Sequence, residues 1–440
     1  MHGKEGALVG KRILIISYFF APQNAMGAVR PTKLAKYLSR MGHEVTVLCG
    51  PGMNDRRDPT LARDLAALRE VHVIREWNPL RDRRPRPTTP AATTQPSAAS
   101  PRGGALHAAR DAAYRWLRWQ ADRSFRRRAV AALDGLTGTY DVVFSTYAPW
   151  SVHEIAREAK RRGLARRWIA DFRDEVGTAF AWQKGKKARY LRMLRREADV
   201  LCAASQGFLE MMGFEDAGRV LSNGFDREDL PPAEAAPART GRLRVVYCGM
   251  LSMGRKGVGD RDLTPMFRAL GALIKRGQLA RSQVALVYAG GESALMQRQA
   301  AACGMGDLVE DHGLVSREES IALQRGADVL LMASWHMAAQ RGILTGKLFE
   351  YMMMEKPIVC CMSGDLPGSG VKRVLEETGM GLCVEQAAGA ADESALDAYM
   401  TDLAYRWKQG KPLLESKHPD EVETYAYPAL AARLAGWMER

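Results

Sequence analysis

Apolar runs without polar alternation recur along this chain, each followed by a loop and then by residues spaced as on a helix. The first is RILIIS at 12–17, the pattern of a parallel strand covered on both faces. A loop holding Pro22, Asn24 and Gly27 follows, then a helix with Leu34, Ala35 and Leu38 on one face that ends near Gly42, then a second strand at 43–48. Strand, loop, helix and strand form a βαβ unit whose loop opens at the strand's carboxyl end, where doubly wound sheets hold ligands. Further strands are expected at 141–145, 167–171 and 199–203. The same rhythm restarts with LRVVYC at 243–248, VALVYAGG at 284–291, an apolar run at 327–331 and IVC at 358–360. Two helical stretches, 393–407 and 421–438, close the chain.

Composition shifts mark the joints. Residues 79–105, rich in Pro, Thr, Ala, Ser and Arg, predict a flexible surface insert, and PPAEAAPART at 231–240 predicts a linker. The expected domains are therefore 1–230 and 241–412, with a terminal helical segment at 413–440. A chain of 440 residues can hold two such cores. No run of about 18 apolar residues predicts a membrane span, and the N-terminal residues are too short and polar for a secretory signal. Seven scattered cysteines without a CxxC pair read as buried reduced thiols of a cytoplasmic protein, and exclude a disulfide or zinc framework. Eight histidines without ligand spacing give no metal site, and His312 reads as structural.

Charge adds an asymmetry. Of the net +14, residues 1–239 carry 41 Lys and Arg against 26 Asp and Glu, and the remainder 23 against 24. An anionic partner for the first half follows, nucleic acid or a membrane surface. Residues 114–128 mix aromatics with arginines at helical spacing. Trp116, Trp119 and Phe125 could enter a lipid interface while Arg115, Arg118 and Arg126 to Arg128 meet phosphates, joined by Arg81, Arg83, Arg84 and Arg86 of the insert. The plainer alternative is a core-facing helix with solvated arginines. No helix-turn-helix or aromatic-interleaved sheet pattern supports nucleic acid.

The densest chemistry lies at 342–357, GILTGKLFEYMMMEKP. A helix from about Gly346 is apolar nearly all round except for Lys347 and Glu350, three apart and so on one face. Desolvating both without partners costs several kcal/mol. They are either an internal ion pair or ligand groups. In the second case the amides of Thr345 and Gly346 with Lys347 suit a phosphate at the helix start, and Glu350 suits sugar hydroxyls one turn deeper, so a nucleotide diphosphate-sugar fits. The loop after the strand at 243–248 begins at Gly249 and carries more glycines with Arg255, Lys256 and Arg261, again suited to phosphates but without the GxxxxGK[ST] spacing. At the end of the strand at 167–171, Asp171, Arg173, Asp174 and Glu175 form either an ion network or a site where a carboxylate handles an acceptor hydroxyl.

TGKLFEYMMMEKPIV resembles the donor-binding segment of retaining glycosyltransferases of family 4, and SYFFAPQNAMGAVRPTKLAKYLSRMGHEVTVL, DFRD and SNGFD resemble other parts of that family. The resemblance implies the GT-B fold: two doubly wound Rossmann-like α/β domains facing a cleft, with the last helix crossing back to the first. It implies retention, no metal or other cofactor, a nucleotide-sugar donor at Gly249, Arg261, Thr345, Gly346, Lys347 and Glu350, and an acceptor near Gly27, Arg30, Asp171 and Asp174. Asp174 with Arg173, and Arg261 with Lys347, are the candidate catalytic groups. Members that build bacterial surface polysaccharides are the nearest in pattern, which implies a lipid-linked glycan acceptor at the inner face of the cell membrane. The family's pair of glutamates seven apart is half present: Glu350 matches the second, and Gly342 stands at the first. Arg173-Asp174 stands where other members have His-Asp, and Glu175-Val176 where nearer ones have Pro-Trp. A degenerate or non-catalytic protein that binds an anionic membrane or nucleic acid is the alternative, and a nucleotide-sugar 2-epimerase is a third reading that the SNGFD and TGKLFEY pattern does not suggest.

Overall fold

The computed structural model describes residues 10–439 apart from 53–55, 79–103, 178–182, 232–240, 252–260, 339 and 415–416. Nearly all of the expected insert at 79–105 and of the linker at 231–240 therefore lies outside the described residues, as do Arg81, Arg83, Arg84, Arg86, Arg255 and Lys256. Two compact units account for the chain.

The first unit is Met1–Ala204, Met212–Leu221 and Ala431–Arg440. Its sheet has seven strands, β1 (Arg12–Ser17), β2 (Glu44–Cys49), β3 (Glu70–Val73), β4 (Tyr140–Tyr147), β5 (Ala165–Phe172), β6 (Val200–Ala203) and β7 (Gly218–Val220), in the order 3-2-1-4-5-6-7. Every neighbouring pair is parallel. The first strand pairs with β2 on one side and β4 on the other, so the order reverses between β1 and β4, where doubly wound sheets open a crevice. Burial explains the apolar runs: five of the six residues of β1 are fully enclosed, because helices cover both faces.

The second unit is Ser205–Met211 with Ser222–Leu430. Six strands, β8 (Leu243–Cys248), β9 (Val284–Ala289), β10 (Val309–Asp311), β11 (Val329–Trp335), β12 (Ile358–Ser363) and β13 (Gly381–Glu385), run in the order 10-9-8-11-12-13. The pattern repeats that of the first unit, and its reversal falls between β8 and β11, which pair through Val329 with Val245. Two apolar clusters fill the two faces of this sheet.

The division between units falls at Leu221, ahead of the 230 expected from composition. The SNGFD turn belongs to the second unit, where Phe225 N donates to Tyr425 O at 3.1 Å and Phe225 O accepts from Tyr427 N at 2.8 Å. The same bonds split the helix expected at 421–438 into Pro419–Glu423 and Tyr427–Met438, because Phe225 occupies the backbone groups between them. All seven cysteines are free thiols, six of them buried. Among the described residues no helix is long and apolar enough to cross a membrane.

Candidate functional site

In the second unit the helix Gly346–Met353 sits over the β8–β11 reversal because of one side chain. Tyr351 is fully buried, and its hydroxyl lies 3.3 Å from Cys248 N on β8 and 3.4 Å from Leu331 O on β11. The helix start is thereby held beside the loop that leaves β8. Lys347 Nζ lies 4.4 Å from the centre of the Tyr247 ring, on the space left by Gly249. Gly249 has φ of 137° and a Cβ there would come within 2.3 Å of Nζ, so only glycine both makes the turn and admits the lysine.

Arg261 closes the other side. One Nη donates to Met250 O, its guanidinium lies 5.6 Å from the Trp335 ring at the end of β11, and its own carbonyl accepts from Gln299 at 2.7 Å. The Nε of this arginine is buried and makes no hydrogen bond, and so is the hydroxyl of Thr345. Among the described residues no carboxylate lies within 4.0 Å of Lys347 or Arg261. Burial first, and the Arg261 charge second, lower the Lys347 ammonium to about 8. Two cations that repel each other, an unpaired hydroxyl and a helix start share one place. An anion placed here would meet both cations and the free hydroxyl at once.

Glu350 differs from expectation in detail. It makes no ion pair with Lys347. Its oxygens accept from Gln324 Nε2 at 2.8 Å and from Arg317 Nη1 at 3.4 Å, which fixes the carboxylate beside the helix rather than at its start. Gly342 stands where the resemblance places a first glutamate, and the structure gives the reason for glycine. Its φ is 78°, and an added Cβ would lie 2.5 Å from Ser205 Oγ and 2.7 Å from Phe208 N. The backbone at 342 packs against the backbone at Gly207, with Ser205 Oγ donating to Gly342 O at 2.6 Å. No side chain fits there.

In the first unit the expected residues divide into two groups. Arg30 and Asp171 are a structural pair and not cleft groups, which corrects their assignment to the acceptor. Their side chains are 2% and 0% exposed. Arg30 Nε and Nη2 donate to the two Asp171 oxygens at 3.0 and 2.7 Å, Nη2 also to Leu221 O at 2.6 Å, and Thr146 donates to the same carboxylate at 2.7 Å. The planar guanidinium and carboxylate satisfy each other, and no lone pair is left for a substrate. Arg173 and Asp174 remain at the end of β5. Arg173 Nε donates to Tyr147 O at 2.7 Å, its guanidinium covers the Phe19 ring at 5.2 Å, and burial lowers its proton affinity. It lies against Gly27, where a Cβ would overlap the guanidinium. Asp174, 3.5 Å from Arg173 Nε, is 63% exposed and open to a ligand.

The aromatic and basic stretch at 114–128 is part of one long helix, Gly104–Ala132. Trp116 is 48% exposed, as expected of an interfacial residue, but Phe125 is fully buried and packs edge-on against Tyr18 at 5.1 Å. Phe125 is therefore core and not lipid-facing. Arg126 pairs with Glu154 at 2.7 Å and Arg128 donates to Arg75 O at 3.0 Å.

Sequence reasoning did not single out Tyr247, Trp335, Tyr351 or the Ser205–Gly207 turn. Trp335 could have been found by extending the apolar run at 327–331 through VLLMASW; the Ser205 contact, 137 residues away in the chain, could not.

No protein-family model and no curated protein matches the chain. Solved structures do. The N-terminal domain of trehalose-6-phosphate phosphatase from Candida albicans aligns over 100% of this chain and 98% of its own, at 14% identity and a TM-score of 0.60. Sucrose-phosphate synthase from Thermosynechococcus elongatus aligns over 98% of each chain at 15% identity and 0.57. A glycosyltransferase from Rickettsia africae aligns over 98% of each at 14% identity and 0.55. Identity this low shows the fold alone, and that fold is the expected class: α/β, GT-B, with two doubly wound Rossmann-like units.

Proposed function

We propose that this protein is a glycosyltransferase that moves a sugar from a nucleotide-diphosphate-sugar to a hydroxyl acceptor. The observation that carries the reading is the uncompensated pair Lys347 and Arg261 at the start of the helix Gly346–Met353, with the Thr345 hydroxyl unpaired beside them. When the glycosidic bond to the diphosphate breaks, negative charge grows on the leaving oxygens. Fixed cations and amides in a partly dry site stabilise that charge without having to reorganise. Lys347, Arg261 and the Thr345 and Gly346 amides are assigned to it, and the glycine at 249 gives the phosphates close access to backbone. Glu350, held by Gln324 and Arg317, is assigned to the donor's hydroxyls. Asp174, oriented by Arg173, is assigned to the acceptor hydroxyl. Retention of configuration and independence of metal follow from the resemblance to family 4.

The acceptor is read as a lipid-linked glycan of cell-surface polysaccharide, met by a protein lying peripherally on an anionic membrane. Support comes from the basic first half and from Tyr114 and Trp116, exposed together on the helix Gly104–Ala132. Incubation with UDP-, GDP-, ADP- and dTDP-sugars and a membrane extract, followed by chromatography of the released nucleoside diphosphate and glycolipid, tests the reading. One donor should be consumed with transfer, and Lys347→Ala should abolish it. Release at equal rates in both proteins, or epimerised donor without transfer, would overturn it.

A further inference from the structure

The first unit holds a cavity of about 910 Å³ that no residue of the sequence-derived site lines. It opens where β4 and β5 end, between Tyr147, Trp150 and Gly177 on one side and the helices Gly104–Ala132 and Lys184–Glu197 on the other. Among the described residues seven basic side chains line it against two carboxylates, Asp122 and Glu154. Arg126 pairs with Glu154 at 2.7 Å, Arg157 is held by both oxygens of Glu197, and Arg115 and Lys186 also have partners. Arg118, Arg123 and Arg189 have no carboxylate within 4.0 Å among the described residues. Arg123 instead covers the Trp119 ring at 4.8 Å. Asp122 takes a hydrogen bond from Ser151 and is pushed up to about 7 by burial, so it carries only part of its charge at neutral pH.

Part of the lining is aromatic. Trp150 and Tyr190 stack at 4.8 Å with an interplanar angle of 19°. Hydrogen bonds from Trp150 Nε1 to Gly177 O and from Tyr190 to Trp150 O, each at 3.1 Å, hold both rings in place. The Tyr147 carbonyl that anchors Arg173 belongs to a residue of this same lining, so the cavity adjoins Arg173 and Asp174 within one unit.

We propose that this cavity binds the phosphoryl or diphosphoryl group of the acceptor, with the Trp150–Tyr190 wall beside the sugar or chain that the phosphate carries. A single carboxylate would answer one of Arg118, Arg123 and Arg189, whereas a doubly or triply charged phosphate matches several guanidinium groups at once, each through paired N–H donors. The inference rests on the glycosyl-transfer reading for the word acceptor only. The phosphate site stands on the cavity itself. It also reassigns Arg115 and Arg118, expected at a lipid surface, to the wall of a binding cavity.

The test is calorimetric titration of the full chain with inorganic pyrophosphate in a Lys347→Ala background, which removes the anion site of the second unit. Adding Arg118→Gln with Arg189→Gln should weaken binding at least tenfold, since each charge-assisted bond is strong. Both residues are exposed, so the fold is kept, and circular dichroism checks it. Arg166→Gln, an exposed arginine away from the cavity, should leave binding unchanged. Unchanged affinity in the double variant, equal weakening by Arg166→Gln, or glucuronate binding as tightly as pyrophosphate would each overturn the proposal. Two further arms separate the sources: a soluble sugar 1-phosphate, and phosphatidylcholine vesicles with and without an isoprenyl diphosphate. Competition with pyrophosphate by either supports the site and names its source, and competition by neither overturns it. Failure of nucleotide-sugar turnover with pyrophosphate binding intact would sink the transfer reading and leave this one standing.

Discussion

Buried charge occurs in both units of this protein and means opposite things in them. In the first, Arg30 lies fully enclosed with Asp171, the guanidinium donating to both carboxylate oxygens and to Leu221 O, and Thr146 donating to the same carboxylate. Lys33 and Lys36 share Asp64 in the same manner, at 2.8 and 3.1 Å. In the second, Lys347 and Arg261 are half-buried beside each other with no carboxylate within 4.0 Å among the described residues. A compensated charge holds the fold, and an uncompensated one waits for a ligand. The charge count of the sequence points to the first half as the place for an anion. The structure shows that part of that charge is paired internally, at Arg30, Lys33 and Lys36, and the donor site we propose lies in the near-neutral half.

The comparison breaks first at Asp171. Asp171→Ala should cost about 3–5 kcal/mol of stability, because it strands a buried guanidinium. Urea unfolding measures this, and the folded fraction should still bind nucleotide with unchanged affinity. Normal stability with acceptor transfer lost would return Asp171 to the site.

Gly342→Glu comes next. It restores the glutamate of the family pattern but places a side chain at φ of 78° against Ser205 and Phe208. Strain and overpacking together should cost about 2–4 kcal/mol, read in the same unfolding experiment, with no gain in turnover. A variant that is stable and faster would show that the glycine is a lost catalytic position and not a packing one.

A smaller effect sharpens the contrast through pH. The Lys347 ammonium, lowered to about 8 by burial and Arg261, loses its proton as pH rises through that value. Diphosphate affinity should be level below pH 7 and fall by up to about tenfold per unit above 8, while binding at pH 8 takes up a proton. Lys347→Arg should remove the decline, because guanidinium stays charged. A flat profile for the native protein would detach Lys347 from the anion.

The mildest expectation concerns Asp174→Asn. Exposed and outside the second unit, it should leave donor affinity within about twofold, since surface changes away from a ligand stay within about 0.5 kcal/mol, while lowering transfer. An equal loss of nucleotide binding would place Asp174 with the donor.

Local pattern carried the fold far. The strands β1 and β8 are where the continuous apolar runs put them, and the helix Ala390–Lys408 lies close to its expected bounds. Four strands were missed. The edge strands β3, β7 and β10 have only three or four residues, none of them buried, and β13 begins with two half-buried residues, so none shows an enclosed apolar run. At the site, Lys347 and Gly249 are recognisable because each breaks a local rule: a charge in an apolar helix, and a glycine at a strand end. Arg30 and Asp171 were misread because a salt bridge across 141 residues leaves no local trace. Phe125 was misread because a helix with arginines and aromatics on several faces does not say which face is covered. The cationic cavity was illegible for a related reason: its walls come from separate helices and two strand ends.

Calorimetric titration of the native protein and of Lys347→Ala with UDP, GDP, ADP and dTDP tests the central claim most directly. One diphosphate should bind the native protein, and Lys347→Ala should weaken it at least tenfold, a charged hydrogen bond contributing about 1.5–3 kcal/mol. The variant should unfold no earlier than the native protein, because the lysine it removes has no carboxylate within 4.0 Å among the described residues. Equal affinity in the two proteins, or no binding of any diphosphate to the native one, would contradict the account.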